Sequence, residues 1–407
     1  MRGLRIDGER LWQSLMELAR IGATPKGGVK RLTLTDTDRV ARDLFARWAR
    51  EAGLELRVDA IGNMFARRAG RDASLAPVAM GSHLDSQPSG GKFDGAYGVM
   101  AGLEVLRTLN DAGVETRAPL EVVSWTNEEG SRFTPVMMGS GVFAGVFPLG
   151  HVLGQKDVDD TTVEGALRSI GYAGEAPAHR LGAYFEAHIE QGPVLEDART
   201  TIGVVQGALG QRWFDAVLTG QDAHAGPTPM ELRKDALIAA SRLVLEVNRI
   251  ALAFPDYARG TVGSMQVKPN SRNVIPGEVR MSVEFRNQND ETLTKMVAAL
   301  RESLKAIETA CRVAIELTEV TYFPPCRFDA SMVGAVRDAA LALGYTQRDI
   351  VSGAGHDAVY VARVAPTAMI FIPCEGGISH NEIENATPQD LAAGCNVLLH
   401  AVLSRAA

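Results

Sequence analysis

Four segments of the chain share one pattern of hydrophobic and polar positions. In each of them a short apolar run ends abruptly in polar residues that could take part in chemistry. The segments are APVAMGSHLD (76–85), PLEVVSWTNEEG (119–130), AYFEAHIEQG (183–192) and TAMIFIPCEGGISH (367–380). Near-continuous apolar runs of this length are typical of buried strands in a parallel sheet. Because ligands bind beyond the carboxyl ends of such strands, the pattern predicts an α/β fold with four polar loops around one crevice.

The pattern changes between about residues 210 and 325. Alternating apolar positions predict strands in RWFDAVLTGQ, TVGSMQV, GEVRMSVEFR and RVAIELTEV. Helical spacing predicts one helix from about Arg233 to Ala253 and another over ETLTKMVAALRESLKAIETA. Together these elements predict an α+β unit with a mostly antiparallel sheet. Since strand runs with polar ends resume at 353–380, we expect this unit to be inserted into the first domain.

Composition and charge narrow the class of protein. A chain of 407 residues that is 46% hydrophobic and 22% charged is expected to be globular, with two domains. The net charge of −7 leaves no basic surplus to neutralise phosphates, so we expect neither a nucleic-acid nor a membrane partner. No apolar run approaches the ~18 residues of a membrane span, and the N-terminus lacks the apolar core of a signal peptide, which predicts a cytoplasmic protein. The cysteines show no CxxC spacing, so neither a cysteine zinc site nor a disulfide framework is expected.

Histidines and acids in the polar loops are the candidate chemistry. Five of the eight histidines stand in short polar or glycine-bearing stretches, namely His83, His188, His224, His356 and His380. Several of these lie at predicted strand ends, accompanied by Asp94 and the pair Glu128-Glu129. Imidazole with carboxylate suits zinc, manganese, cobalt or nickel, and a site of this kind without cysteine is more often catalytic than structural. Adjacent acids cannot easily bind one metal together, so one of the pair can ligate while the other acts as a general base.

These motifs resemble a known family of dinuclear-metal amidohydrolases. The matching stretches are SHLDS, GGKFDGAYGV, TNEEGSRF, HIEQGPVLE, DAHAGPTPM, SRNVIPG and GISHNEIE. The family includes N-carbamoyl-L-amino acid hydrolase, allantoate amidohydrolase and β-ureidopropionase, and it belongs to a superfamily of metal-dependent aminoacylases and carboxypeptidases. The resemblance extends in matching order from about residue 10 to the C-terminus.

The resemblance implies two divalent metal ions per subunit, which could be zinc, manganese, cobalt or nickel. It assigns Asp94 as the bridging ligand, and the remaining ligands would be His83 with His188 for one ion and Glu129 with His380 for the other. Glu128 would be the general base that takes a proton from the attacking water. Asp85, two residues after His83, would orient that imidazole. Peptidase members of the superfamily typically carry an acid in place of His188, which favours a carbamoyl or ureido substrate.

Substrate-binding residues are also implied by the resemblance. His224 would stabilise the tetrahedral oxyanion from across a dimer interface, and Arg286 would bind the substrate carboxylate with support from Asn273. Three weaker candidates for substrate binding are Gln191, His356 and the adjacent Gly355.

The implied fold class is a catalytic α/β sandwich-type domain with a mixed, largely parallel sheet, interrupted by an inserted α+β domain. The catalytic dinuclear-metal domain would comprise 1–209 plus 326–407, and 210–325 would be a lid and dimerisation domain, so that the protein is a homodimer. The implied activity is hydrolysis of the ureido C–N bond of a small anionic substrate, an N-carbamoyl-L-amino acid, giving L-amino acid, ammonia and carbon dioxide. Allantoate amidohydrolase, β-ureidopropionase, aminoacylase or dipeptidase, and a non-catalytic metal-binding scaffold are the alternatives.

Overall fold

The computed structural model describes residues 3–254 and 256–407. Its α-helices are α1 (Gly8–Ala19), α2 (Asp36–Glu51), α3 (Ala96–Asp111), α4 (Met138–Phe143), α5 (Leu149–Leu153), α6 (Val163–Ile170), α7 (Val194–Asp197), α8 (Ala236–Ala253), α9 (Asp290–Cys311), α10 (Ala330–Leu343), α11 (Asp357–Val361) and α12 (Pro388–Ala406). Its β-strands are β1 (Glu55–Val58), β2 (Met64–Arg68), β3 (Val78–His83), β4 (Leu120–Trp125), β5 (Ala183–Ile189), β6 (Ile202–Ala208), β7 (Gly210–Thr219), β8 (Ala223–His224), β9 (Arg259–Thr261), β10 (Met265–Lys268), β11 (Val274–Ile275), β12 (Glu278–Asn287), β13 (Ala314–Phe323), β14 (Cys326–Arg327), β15 (Gln347–Ser352) and β16 (Thr367–Ile372). In the described ranges, no helix combines the length and the apolar character needed to span a membrane.

The chain divides into two compact units. The first extends to Gly207 and resumes at Arg327, and the second comprises Ala208–Cys326. The second unit therefore interrupts the sequence of the first.

The sheet of the first unit is mixed, with four parallel strands at its centre. Its order is β1-β2-β4-β3-β5-β16-β6-β14, with β15 also paired to β6. Strands β3, β4, β5 and β16 are mutually parallel, whereas β2 and β6 flank them in antiparallel orientation. Every residue of the four central strands is buried. The four apolar runs of the sequence are therefore these strands, and the prediction of a largely parallel α/β sheet is confirmed.

The second unit is an antiparallel sheet with helices on one face. Its strand order is β10-β12-β7-β13, with β9 also paired to β12, and β8 forms a separate two-stranded ladder with β11. Helices α8 and α9 pack on the sheet through a buried apolar cluster that includes Phe214, Leu243 and Leu300. Helix α8 begins three residues later than the sequence predicts, because the Asp235 carboxylate caps it by accepting the N–H groups of the next turn.

Candidate metal centre

The polar ends of the four central strands meet at one edge of the first unit's sheet. His83 is the last residue of β3, and His188 is the last but one of β5. The Glu128-Glu129 pair follows β4, and His380 lies in the loop after β16. Because the four strands are parallel, all these residues come to the same edge, as the sequence pattern predicts.

Asp94 lies at the centre of this group. It precedes α3 by two residues and is 6% exposed. Its Oδ1 is 3.1 Å from Nε2 of His188 and 3.7 Å from Nε2 of His83, whereas its Oδ2 is 3.4 Å from Nε2 of His380. The two oxygens of one carboxylate therefore face two different groups of potential ligands.

Two sets of ligand-type side chains share this carboxylate. In the first set His83, Asp94 and His188 are all buried, and in the second set Asp94 meets Glu129 and the half-exposed His380. In each set the ligand-type atoms lie within 4.8 Å of one another. Nε2 of His380 is 3.4 Å from Oε2 of Glu129. A nitrogen- and carboxylate-rich donor set of this kind fits a divalent transition metal or zinc.

Main-chain carbonyls fix the orientation of the buried imidazoles. Nδ1 of His83 is 2.9 Å from the carbonyl oxygen of Asp85, and Nδ1 of His188 is 2.9 Å from that of Ile189. When the imidazole is neutral and Nδ1–H donates to the carbonyl, Nε2 carries the lone pair and faces Asp94, which is how metal-ligating histidines are usually held.

The Asp85 carboxylate has a different partner from the one expected. Its oxygens accept the main-chain N–H groups of Glu128 and Glu129 at 3.3 Å each, while its nearest oxygen is 3.8 Å from Nδ1 of His83. Asp85 therefore orients His83 with its carbonyl group and the acidic pair with its side chain. The sequence placed Asp85 beside His83 but could not distinguish these two contacts.

The centre contains more buried negative charge than the protein compensates. Burial and the charges of neighbouring acids, Asp357 first, raise the pKa of Glu128 well above its usual range. Burial, and then the charge of Asp94, raise the pKa of Glu129 to about 8. Burial alone would lower the pKa of His188, but its hydrogen bond with Asp94 raises it to about 9. Bound cations would relieve this repulsion, so the electrostatics fit the donor set.

Glu128 lies beside the first set without belonging to either set. Its Oε2 is 3.6 Å from Nε2 of His83, and the residue is 9% exposed. The backbone around it is fixed because Met137 donates its N–H to the Glu128 carbonyl at 2.7 Å, and Asn127 before it adopts a left-handed conformation with φ 56°. A carboxylate held at this position can exchange a proton with a water bound between the two sets.

Two residues that sequence reasoning missed hold the second set in place. Gln87 donates its side-chain N–H to Oε2 of Glu129 at 2.7 Å and its main-chain N–H to Oε1 at 3.1 Å. Glu384 accepts the main-chain N–H groups of Phe93 and Asp94 at 3.0 and 3.1 Å and the hydroxyl of Ser379 at 2.8 Å. Glu384 is the last residue of the stretch GISHNEIE, and Gln87 directly follows SHLDS; this proximity to the matching stretches was the available signal.

Two of the weaker binding candidates of the first unit, Gln191 and His356, contact members of the two ligand sets. Gln191 donates to Oδ2 of Asp94 at 3.0 Å, so it contacts the shared carboxylate directly. His356 is buried behind His188, with ring centroids 4.6 Å apart, and its Nε2 is 2.8 Å from the hydroxyl of Ser352. Gly355 lies against Met137, whose side chain would be 3.3 Å from an added Cβ.

The remaining candidates lie in the second unit, in two separate places. His224 pairs with Val274 between β8 and β11, and Asn273 adjoins that ladder, where its carbonyl accepts the Ala225 N–H at 2.9 Å. Arg286 lies near the far end of β12, where its Nε contacts the Glu284 carboxylate.

Comparisons with known proteins find relatives that match nearly the whole chain. The model of peptidase family M20/M25/M40 matches residues 79–404. A Rhizobium meliloti protein named N-carbamoyl-L-amino-acid amidohydrolase is 47% identical over 404 residues, which cover 99% of this chain and 97% of the relative. A protein of the same name from Geobacillus stearothermophilus is 38% identical, covering 98% of each chain. The crystal structure of an amidase of the hydantoinase/carbamoylase family from Burkholderia multivorans superimposes with a TM-score of 0.97 at 60% identity, covering 99% of this chain and 98% of that one.

Proposed function

This chain belongs to peptidase family M20/M25/M40, and on that premise we propose that it hydrolyses N-carbamoyl-L-amino acids. One water attacks the ureido carbon and one C–N bond is hydrolysed. The carbamic acid that remains then loses carbon dioxide as its own C–N bond breaks, so L-amino acid, ammonia and carbon dioxide are released. The observation that carries the proposal is the shared Asp94 carboxylate, flanked by two ligand sets and a buried Glu128. The full-length relatives with this activity in their names supply the substrate class.

The ligand sets would hold two divalent ions, with zinc, manganese, cobalt or nickel as the candidates. Asp94 would bind both, His83 and His188 would complete one site, and Glu129 and His380 the other. When bound, such ions polarise the substrate carbonyl and lower the pKa of an attacking water.

Glu128 would move the protons of the reaction. Its Oε atoms would take a proton from the water that attacks the ureido carbon and deliver it to the departing nitrogen. The buried setting suits this role, because burial favours the protonated form that Glu128 must adopt between the two transfers.

Substrate recognition would use the second unit, with Arg286 on the carboxylate and His224 on the tetrahedral oxyanion. Asn273 was expected to support Arg286, but it adjoins the ladder of His224, so within one subunit it would act at the ureido end instead. These groups lie apart within one subunit. Glu278 is the first residue of β12 and marks the end of the strand nearest the β8–β11 ladder. Arg286 lies eight positions farther along β12, a distance of about 27 Å. A small ureido acid cannot span that distance. We therefore infer that one group serves the substrate of its own subunit and the other group that of a partner copy.

Helix α8 offers a surface for this homodimer. Ile238, Leu245 and Leu252 are 50%, 69% and 78% exposed. Their seven-residue spacing aligns them along one side of the helix, as in helices that pack against each other in pairs. Leu245→Glu is expected to convert the dimer to monomers in analytical ultracentrifugation. Leu341→Glu, at a 58% exposed position of α10 in the first unit, is the matched control and should leave the dimer intact. A dimer that survives Leu245→Glu would remove α8 from this role.

The function is tested by release of ammonia from N-carbamoyl-L-amino acids, allantoate and β-ureidopropionate, with protein reconstituted with manganese, cobalt or zinc. Turnover of N-carbamoyl-L-amino acids is expected. Turnover of N-acyl amino acids with no ammonia from any ureido acid would overturn the proposal.

The role of Glu128 is tested separately with Glu128→Gln. This variant should keep its metal content while losing about 100- to 10,000-fold in kcat. Undiminished kcat would remove Glu128 from the mechanism.

A further inference from the structure

A row of polar side chains crosses the helix-free face of the second unit's sheet. Arg259 of β9 lies directly opposite Arg286 of β12, and Gln211 of β7 lies opposite Arg286 on its other side. Directly opposed residues of antiparallel strands point to the same face, with Cβ atoms about 5 Å apart. Gly260 faces the other way, because a Cβ added there would lie 3.0 Å from the buried Phe285 ring. Arg259 and Arg286 therefore share the open face.

This row carries more positive than negative charge. Arg286 contacts the Glu284 carboxylate, but no carboxylate within residues 3–254 and 256–407 lies within salt-bridge distance of Arg259. The hydrogen bond recorded for the Arg259 guanidinium goes to the neighbouring carbonyl of Ala258, at 3.0 Å. Like charges directly opposite each other destabilise a sheet. An anion bound between the two guanidinium groups would reverse that effect.

The third member of the row is uncharged. Oε1 of Gln211 is buried and has no hydrogen-bond partner among the residues that the structure describes. Because this oxygen accepts hydrogen bonds, it does not bind a carboxylate itself, and the two guanidinium groups are the anion-binding members of the row.

We propose that Arg259 is a second carboxylate-binding residue, which makes the enzyme selective for N-carbamoyl amino acids with an acidic side chain. The inference rests on the proposed function, in which Arg286 binds the α-carboxylate. Two guanidinium groups on side chains that start about 5 Å apart can each bind one carboxylate of the same small diacid. A substrate with one carboxylate would leave the Arg259 guanidinium without an anionic partner.

Two substrates of nearly equal shape test this selectivity, N-carbamoyl-L-glutamate and N-carbamoyl-L-glutamine. The wild-type enzyme should have the higher kcat/KM for the glutamate derivative, measured by release of the free amino acid. Arg259→Gln should lower kcat/KM for the glutamate derivative by about 10- to 100-fold and leave that for the glutamine derivative nearly unchanged. Arg259→Lys keeps the charge but not the planar fork, so it should retain part of the preference.

Arg280→Gln is the matched control. Arg280 is an exposed arginine on the same strand and face, six positions from Arg286, and it pairs with Glu278. The control should keep the preference for the glutamate derivative. Thermal unfolding of each variant verifies that the second unit is folded.

Two results would overturn the inference. One is a wild-type enzyme that cleaves the glutamine derivative as well as the glutamate derivative, and the other is an Arg259→Gln variant that keeps the wild-type preference. Failure of the proposed function would look different, since no ureido acid of any charge would then be cleaved, and the role of Arg259 in substrate selection would fall with it.

Discussion

Glu384 is expected to hold Asp94 in position between the two ligand sets. The residue is 1% exposed, and its Oε1 accepts the main-chain N–H groups of Phe93 and Asp94. The Glu384 carboxylate packs directly against Gly91, where an added Cβ would lie 2.0 Å from the same oxygen. Glu384→Ala removes the acceptor of both N–H groups.

The magnitude follows from those two hydrogen bonds. A buried donor left without a partner costs about 1–3 kcal/mol, so two such donors cost about 2–6 kcal/mol before the loop relaxes. Because one of the donors belongs to Asp94 itself, part of this loss should appear as displacement of the shared carboxylate. Changes to residues that support metal ligands typically lower metal affinity about 10- to 100-fold, and we expect Glu384→Ala to fall in that range.

Glu384→Gln separates the hydrogen bonds from the charge. Its carbonyl oxygen can still accept the two N–H groups, and its amide can donate to the hydroxyl of Ser379, which now lies 2.8 Å from Oε2. Burial, and then the charge of Asp94, raise the pKa of Glu384 to about 7. Because the pKa of this carboxyl group is higher in the folded than in the unfolded state, the free energy of unfolding falls as the pH rises from the ordinary pKa of 4.5 through 7. The Gln variant lacks this loss and should be at least as stable as the wild type above that window.

The assay is competition of the protein with a chelator for zinc or manganese, combined with thermal unfolding of the metal-free samples. Glu384→Ala should bind metal more weakly and unfold at a lower temperature, while Glu384→Gln should remain close to the wild type. Equal losses in the two variants would refute the reasoning, because they would show that the charge rather than the acceptor position matters. Wild-type behaviour of Glu384→Ala would refute it as well.

Two further predictions concern the ligand sets. Burial raises the pKa of Glu129 to about 8, and metal ligation requires its carboxylate form. Metal affinity should therefore increase with pH up to and beyond about 8, as measured by chelator competition over a pH series. An affinity independent of pH would contradict this prediction. In Gly95→Ala the new Cβ would lie 2.3 Å from the His83 ring at a backbone φ of +63°, so metal affinity should fall at least about tenfold. Gly113 has a similar φ of +60° but open space around it, so Gly113→Ala measures the backbone strain alone and should leave metal affinity unchanged. Equal effects of the two substitutions on metal binding would argue against steric displacement of His83.

The central sheet could be predicted because its signal is local. Parallel strands that are buried on both faces must be apolar along their whole length, and this is visible in the sequence of β3, β4, β5 and β16 without knowledge of their partners. The chemistry at their ends could also be anticipated, since parallel strands bring their carboxyl ends to one edge. His83 and His188 needed no further information, because each stands within or at the end of such a strand.

The contacts of the loops could not be predicted in the same way. A loop residue acquires its partners from the path of the backbone, and at this centre that path depends on conformations that no hydrophobic period encodes. Asn127, Gln191 and His380 all adopt the left-handed region with φ between 53° and 59°, which residues other than glycine rarely occupy. Sequence patterns therefore identified Asp85 as a neighbour of His83 but not that its carboxylate turns away to the acidic pair.

The left-handed backbone conformations at the centre depend on hydrogen bonds in the surrounding loops. A non-glycine residue in this region costs of order 1–3 kcal/mol and persists only where surrounding bonds determine it. Around His380 those bonds run from the Glu375 N–H to the Asn385 carbonyl, at 2.8 Å, and from the Ser379 hydroxyl to Glu384. Glu384 also accepts the main-chain N–H groups of Phe93 and Asp94, and so fixes the loop that precedes α3. One buried carboxyl group thus connects Asp94 with the loop that carries His380. Its two oxygens therefore help to position members of both ligand sets.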